Sequence, residues 1–344
     1  MPDAEFSVQS DHGRPAKSAW SSLCSAARRS IGEVRRVECS EHGPDTLEAL
    51  HAGAERLCCA YSTMAPLALR QEAEQQLRDV RRLLGGRRTL SQHRELLVVA
   101  GWLSLLLGCL HNDMGARRAA EAARDAAQHL GKEAGHPVIG RWACELDCWF
   151  ALTDGRLRDV TRFAQAGLAS LRSADSAGVQ LALQAAKGWA KLGERRAADD
   201  ALQHGSSLLD QLPPSAHPEH HFVFDPSKYE FYAAPIYAWL GEHDRAEEHC
   251  HEVFARCTAP DGTTAWPMRR SETQNTMALV QLHRGDLSAA IDYADRALDC
   301  DRRSIPSLLS GTSEVARALE RQHPREPAVH GFRDRVAQLC GAYE

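Results

Sequence analysis

The chain has 344 residues, 25% of them charged, and a formal net charge of −5. Alanine (53) and leucine (39) dominate, while valine (15), isoleucine (5) and aromatic residues (6%) are few. Strand formers are too scarce for a large sheet, helix formers abound, and the mild acidity excludes bulk attraction to nucleic acid.

The expected fold class is all-α. Residues 1–43 are polar and read as a mobile or partly helical leader, in which Trp20, Leu23, Ala27, Ile31 and Val34 permit one short helix over 18–37. Within them Met1–Ala19 is polar and holds no apolar core of a signal peptide, so a cytoplasmic location is expected. Residues 44–88 read as an N-terminal capping pair. In its first helix Leu47, Leu50, Ala54, Leu57 and Cys58 share a face; its second opens at Pro66 and stops at Gly85-Gly86.

Residues 89–300 read as an array. The apolar run Leu96–Leu110 is shorter than the ~20 residues a bilayer needs, so it predicts a buried core helix and no membrane span. A unit then recurs five times: an apolar helix, a turn with glycine, an alanine-rich helix. The turns fall at Gly115, Gly155, Gly193, Gly241 and Gly285. Successive spacings of 40, 38, 48 and 44 residues are those of helical-repeat arrays. The longer ones contain loops at Leu212–Pro226 and Thr258–Pro267. Residues 301–344 read as C-terminal capping helices, Ser304–Ala318 and Pro327–Leu339, with Thr312, Glu314, Arg317, Glu320 and Arg321 as a polar outer face.

The last unit resembles a tetratricopeptide repeat (TPR), with Ala278, Gly285, Ala290 and Ala297 at the small-residue positions. Ala234, Gly241 and Ala246, and Ala186, Gly193 and Ala198, match in the two units before it. The strings TLSQHRELLVVAGWLSLLLGCLHNDMGARRAAEAARDAA and HHFVFDPSKYEFYAAPIYAWLG resemble the C-terminal sensor region of actinobacterial transcriptional regulators of the XRE (Cro-type helix-turn-helix) class. The resemblance covers roughly residues 45–300. It implies a TPR-like superhelix of about five hairpins, and a role in transcriptional control. The helix-turn-helix of that family needs two short helices over an apolar core, and residues 1–43 do not display it. Direct DNA binding is therefore not expected. The resemblance points instead to sequestering a partner protein, to a homodimer, or to a mixed dimer with a full-length regulator.

The concave face of such an array is its usual binding surface. Helical spacing turns Glu272, Asn275 and Leu279 of one helix, and Lys228, Phe231 and Pro235 of another, toward it, with Tyr229 and Tyr232 nearby. In TPR proteins that sense peptides, groove amides hold the peptide backbone. Asn275 and Gln274 are the analogues here, because an amide offers donor and acceptor together. Arg269 and Arg270 suit a carboxylate, and Trp266 is a loop aromatic free to touch a ligand. The expected ligand is a peptide, a small metabolite or a partner protein. The bland alternative is a solvated helix face.

The second reading is an enzyme of a biosynthetic pathway derived from the sensor, with His220, His221 and Asp225 joining Lys228, Tyr229 and Tyr232 as acid–base candidates. A deep pocket holding several of them would separate it from a binding protein. A third is a scaffold. No catalytic signature occurs, neither G-x-S-x-G, H-E-x-x-H, a P-loop nor G-x-G-x-x-G. HPEHHF and HCH hold good zinc ligands, but His249 and His251 point about 200° apart on a helix. No metal or cofactor is expected. The histidine-rich segment reads as surface polar residues or a lid, and Asp225-Pro226 as a helix start with a capping carboxylate. Trp102, Trp142, Trp149, Trp189 and Trp239 read as core, and the 11 cysteines as mostly buried free thiols.

Overall fold

The computed structural model describes residues 44–258, 264–300 and 302–341. Among them are fourteen α-helices and no strand beyond an isolated bridge from Thr258 to Thr264. The proposed leader helix lies outside the described residues. The helices pair as α1 (Pro44–Cys59) with α2 (Pro66–Leu84), α3 (Leu90–Asp113) with α4 (Arg117–Glu133), and α5 (Pro137–Thr153) with α6 (Leu157–Leu168). There follow α7 (Ser176–Lys191) with α8 (Arg195–Leu209), α9 (Lys228–Trp239) with α10 (His243–Cys257), and α11 (Pro267–His283) with α12 (Leu287–Leu298). The last pair is α13 (Ile305–Gln322) and α14 (Pro327–Gly341).

Local chemistry sets the boundaries. Thr89 and Gln92 form a reciprocal capping box before α3, each side chain accepting from the other's backbone N–H. Pro66, Pro137 and Pro267 occupy first turns, where no N–H is needed. Gly115, Gly155, Gly193, Gly241 and Gly285 all take φ between 71° and 81°, the left-handed geometry that ends a helix in a tight turn. Gly135 does the same between α4 and α5, a turn the sequence pattern left unmarked.

The paired helices cross on alanine. Ala186 and Ala198, Ala234 and Ala246, and Ala278 and Ala290 are fully buried, so each pair approaches closely at its crossing. One apolar core gathers Leu57, Leu69, Leu96, Leu103, Leu106 and Trp142; a second gathers Val179, Leu183, Leu202, Phe224 and Ile236. Helix α3 is long and apolar enough to cross a membrane, but 78% of that stretch is buried inside the protein. It is the central strut of the first core. Cys58, Cys109, Cys148, Cys250 and Cys257 are free and buried thiols.

The first helices of the hairpins touch in series: α3 on α5, α5 on α7, α7 on α9, α9 on α11. Helix α13 packs on α11 and also reaches back to α3 and α5. The arc is thereby closed by its own C-terminal side. This corrects the expectation of an outward-facing cap. Arg317, Glu320 and Arg321 are exposed, but Thr312 is fully buried and Glu314 bonds inward, its carboxylate accepting from Lys191 Nζ (2.7 Å) and Trp239 Nε1 (2.9 Å). Helix α13 has an inner polar face because it lies across the interior.

A buried ion pair fastens this closure. Arg302 donates to Asp113 Oδ2 at 2.8 Å and to the Tyr61 carbonyl at 3.0 Å, and the Tyr61 hydroxyl donates to the same Asp113 oxygen at 2.7 Å. The guanidinium also lies 4.8 Å from the Tyr61 ring centroid. Burial pushes the Asp113 carboxyl up, opposed by Arg302 and the Tyr61 hydroxyl. Removing one member of a buried pair strands the other charge. Arg302→Leu should cost roughly 3–5 kcal/mol in urea denaturation of the full chain. The double variant Asp113→Leu/Arg302→Leu should recover part of that loss. A loss in the double variant equal to the sum of the Arg302→Leu and Asp113→Leu losses would mean that no pairing energy links the two.

Candidate functional site

The closed arc surrounds a cavity of about 220 Å³. Each inner helix contributes a stripe at helical spacing: Glu145, Trp149 and Leu152 from α5; Gln180, Gln184, Lys187 and Lys191 from α7; Lys228, Phe231 and Pro235 from α9. Glu272, Asn275 and Leu279 come from α11, and Ser307, Gly311 and Glu314 from α13. Residues three and four apart lie over one another on a helix, so each stripe follows from its own periodicity.

Glu145 is buried. Its Oε1 accepts hydrogen bonds from Gln180 and Gln184, both at 2.8 Å. Burial raises its carboxyl, while the two amides and Lys187 favour the ionised form. Lys187 is also buried, its ammonium 4.3 Å from the Tyr232 ring centroid and 5.0 Å from that of Phe231. It has no hydrogen-bond partner among the described residues. Burial lowers its pKa, with Glu272 and Glu145 opposing. The half-buried Arg269 stacks over the Trp266 ring at 4.2 Å, again without a hydrogen-bond acceptor among the described residues. Asn275 is 5% exposed, and neither atom of its amide has a partner. Gln184 Oε1 and Thr273 Oγ1 are buried and unpartnered too.

The segment between α8 and α9 forms another wall. Lys228 Nζ donates to the carbonyls of His221 (3.0 Å) and Val223. Burial, then the charge of Arg269, brings its pKa down to about 7. His220 Nδ1 accepts from the Phe222 N–H at 3.1 Å, which requires a neutral ring; burial lowers its pKa to about 4. The His221 ring lies 3.8 Å from that of Tyr61 between centroids, and burial holds it neutral. Phe222 packs into the first core and Phe224 into the second. His220, His221 and Phe222 therefore belong to an interior wall, where a surface stretch or lid was expected, while His217 and Pro218 remain on the surface. The aromatic residues of that wall pull it inward.

Nine expected groove residues line the cavity: Lys228, Phe231, Tyr232, Pro235, Trp266, Arg269, Glu272, Asn275 and Leu279. Tyr229, Arg270 and Gln274 do not. Tyr229 packs against the second core, and Gln274, two residues from Glu272, is turned about 200° away on α11. His220 and His221 face the cavity; Asp225 does not. The Asp225 carboxylate accepts from the Ser227 hydroxyl, while its carbonyl receives the Lys228 N–H at 2.8 Å. Helix α9 starts at Lys228, so the carboxylate is no helix cap. His249 pairs with Glu230 and His251 with Glu247, so the HCH histidines do not converge.

Glu145, Gln180, Gln184, Lys187, Lys191 and Glu314 were not among the expected residues. Nor were Trp149 and Trp239 as lining residues; each places its ring on the cavity and donates its N–H to α13, at Ser307 Oγ (2.9 Å) and Glu314 Oε1. The signal was a polar series at 180, 184, 187 and 191 on an otherwise Ala- and Leu-rich helix.

Compared with known protein families and with curated proteins, the chain matches no family model and no curated sequence significantly.

Lys228 sets a pH signature. Its folded pKa of about 7 lies below the ordinary 10.5, so between those values the unfolded chain binds the extra proton. Stability must then rise with pH across that window. Lys228→Met should reduce the slope of unfolding free energy against pH by up to one proton, about 1.4 kcal/mol per pH unit. Urea denaturation at stepped pH measures it. An unchanged slope would mean that Lys228 keeps its proton in both states.

Proposed function

We propose that this protein is a regulatory binding protein whose closed TPR-like array holds a small carboxylate-bearing molecule. The observation that carries the reading is a cavity that presents two cations, Lys187 and Arg269, with no hydrogen-bonded anion among the described residues, beside the Asn275 amide, unpartnered among the same residues. A buried, unmade hydrogen bond costs about 1–3 kcal/mol. A ligand whose carboxylate meets the cations and whose amide-like or hydroxyl group meets Asn275 removes that cost. Trp149, Phe231 and Trp239 supply flat apolar walls for the remainder. Ligand sites combine these features: apolar walls and a few converging polar groups.

The size favours a small molecule over a peptide. An extended peptide needs an open groove, and α13 lies across this one. The resemblance to the sensor region of XRE-class regulators supports a regulatory role, in which ligand occupancy changes how the protein engages a partner protein. Direct DNA binding is not part of the proposal.

An enzyme is the second reading, and one observation favours it. His220, His221, Lys228 and Tyr232 share the cavity with buried Glu145, the enclosed ionisable cluster that separates a pocket from an open groove. Yet Lys228 is bonded to two carbonyls and Glu145 to two amides, arrangements that fix walls. Binding is therefore the leading reading.

The test is calorimetry of the full chain with a panel of small carboxylic acids and their methyl esters. Acids should bind and esters should not. Lys187→Met should weaken binding by roughly thirtyfold, the value of about 2 kcal/mol for a charge-assisted hydrogen bond. Asn275→Ala should weaken it less. Esters that bind as well as acids, or variants that bind normally, would defeat the carboxylate reading. Turnover of a bound acid would move the conclusion to the enzyme.

A further inference from the structure

A second cluster lies where the C-terminal end of α1 meets the loop before α9. Cys59 is the last residue of α1, and Glu55 stands one turn earlier on the same helix. His217 and Glu219 belong to the loop. Its backbone is held against α1 by the His221 N–H, which donates to the Cys58 carbonyl at 3.1 Å. The His217 N–H donates to Ser215 Oγ and the His220 N–H to the His217 carbonyl, both at 3.1 Å. The loop is thus shaped by its own hydrogen bonds before any ligand arrives.

Within this frame the Cys59 thiol, a His217 ring nitrogen and a Glu219 carboxylate oxygen all lie within 4.8 Å of one another. His217 Nδ1 is 3.3 Å from Glu219 Oε1, and its Nε2 is 3.6 Å from Glu55 Oε1. One thiol, one imidazole and one carboxylate are a complete protein donor set for a zinc ion with a fourth position left open. The mixed S, N, O set favours zinc over magnesium or calcium, which take oxygen donors. The second nitrogen of the same ring faces Glu55. Metal-bound histidines usually donate that N–H to an outer carboxylate, which fixes the tautomer.

We propose that Cys59, His217 and Glu219 bind a zinc ion, with Glu55 orienting His217 from behind. Binding needs no oxidant or reductant. The Cys59 S–H bond breaks, its proton leaves to solvent, and the sulfur bonds to the metal as thiolate. His217 enters neutral through Nδ1, keeping its proton on Nε2 toward Glu55. The three donors close by a small movement of the exposed His217. Neither HPEHHF nor HCH discloses this set, because the thiol comes from a helix more than a hundred and fifty residues earlier.

The site has a mechanical consequence. Glu219, His220 and His221 are also part of the wall of the central cavity. A metal bridging α1 and this loop pins that wall at its outer end. The proposal stands on the side-chain cluster and is independent of what the cavity binds.

The test uses the full chain, stripped with a chelator and titrated with cobalt(II) as a spectroscopic probe, then with zinc(II). One cobalt per chain should bind, with a thiolate-to-cobalt charge-transfer band that zinc displaces. Cys59→Ser should abolish the band, and His217→Ala should lower affinity at least tenfold. Glu55→Gln should lower it about 10–100-fold, as loss of an outer-shell partner does. Cys340→Ser, on α14 and away from the cluster, should leave binding intact. Circular dichroism would verify that each variant is folded, and His217→Ala, on an exposed loop, keeps the test open if Cys59→Ser fails to fold. Absence of stoichiometric binding overturns the proposal. So does a thiolate band that survives Cys59→Ser, or cobalt affinity indifferent to His217.

Discussion

The closed form of this protein depends on one buried contact, Arg302 against Asp113 and Tyr61. It joins positions 189 and 241 residues apart in sequence. Stacked hairpins need only their neighbours, and nothing in nearest-neighbour packing brings the end of an array back to its beginning. Closure requires a long-range interaction with a fixed geometry. A guanidinium provides it, because its planar donor fork meets a carboxylate and a carbonyl at once. Desolvating two charges is expensive, so such a pair contributes more to specificity of arrangement than to net stability. Here it specifies where α13 must lie.

Once α13 is placed, the character of the interior follows. An array's concave face is ordinarily wet, and its polar side chains are satisfied by water. Placing a helix across it turns those side chains into partly buried groups. Some find partners: Lys191 with Glu314, Trp149 with Ser307, Glu145 with two glutamines. Others keep unmade bonds, among them both atoms of the Asn275 amide. Burial in this interior lowers the pKa of Lys187 and Lys228 and raises that of Glu145 and Glu272, since it disfavours every charged form.

This division explains what could be read in advance. Helices and turns are local, and their signals are local: capping residues, proline at first turns, glycine where φ is positive, alanine where paired helices cross. Hence the five predicted turn glycines and the alanine crossings stand where expected. The inward faces of α9 and α11 were equally legible, because counting from the small residues fixes rotation about the helix axis. Glu145 and Trp149 escaped because they sit on an apolar helix, where an isolated polar residue or a tryptophan has no distinct signature. Glu314 was assigned to the wrong side because its environment is set by Arg302 and Asp113, a pairing no periodicity reveals. Cys59 and His217 escaped for the same reason: their proximity belongs to the packing of a loop on a distant helix.

The cavity also reflects which side chains are missing. The inner face of α13 carries Ser307, Ser310 and Gly311, with Ser304 just before it, while the facing helices carry Trp149, Phe231 and Trp239. Large residues on one wall and small ones on the other leave a space that ordinary core packing would fill. At its narrowest the fit is close, since a Cβ on Gly311 would come within 2.9 Å of Asn275 Nδ2. A protein selected for stability alone would place leucine along this face and have no buried amide without a partner. Void space costs dispersion contacts, and each unpartnered amide atom adds its own desolvation. Four atoms unpartnered among the described residues, Asn275 Nδ2 and Oδ1, Gln184 Oε1 and Thr273 Oγ1, belong to residues that line this cavity. A molecule entering this cavity would supply contacts that its walls lack.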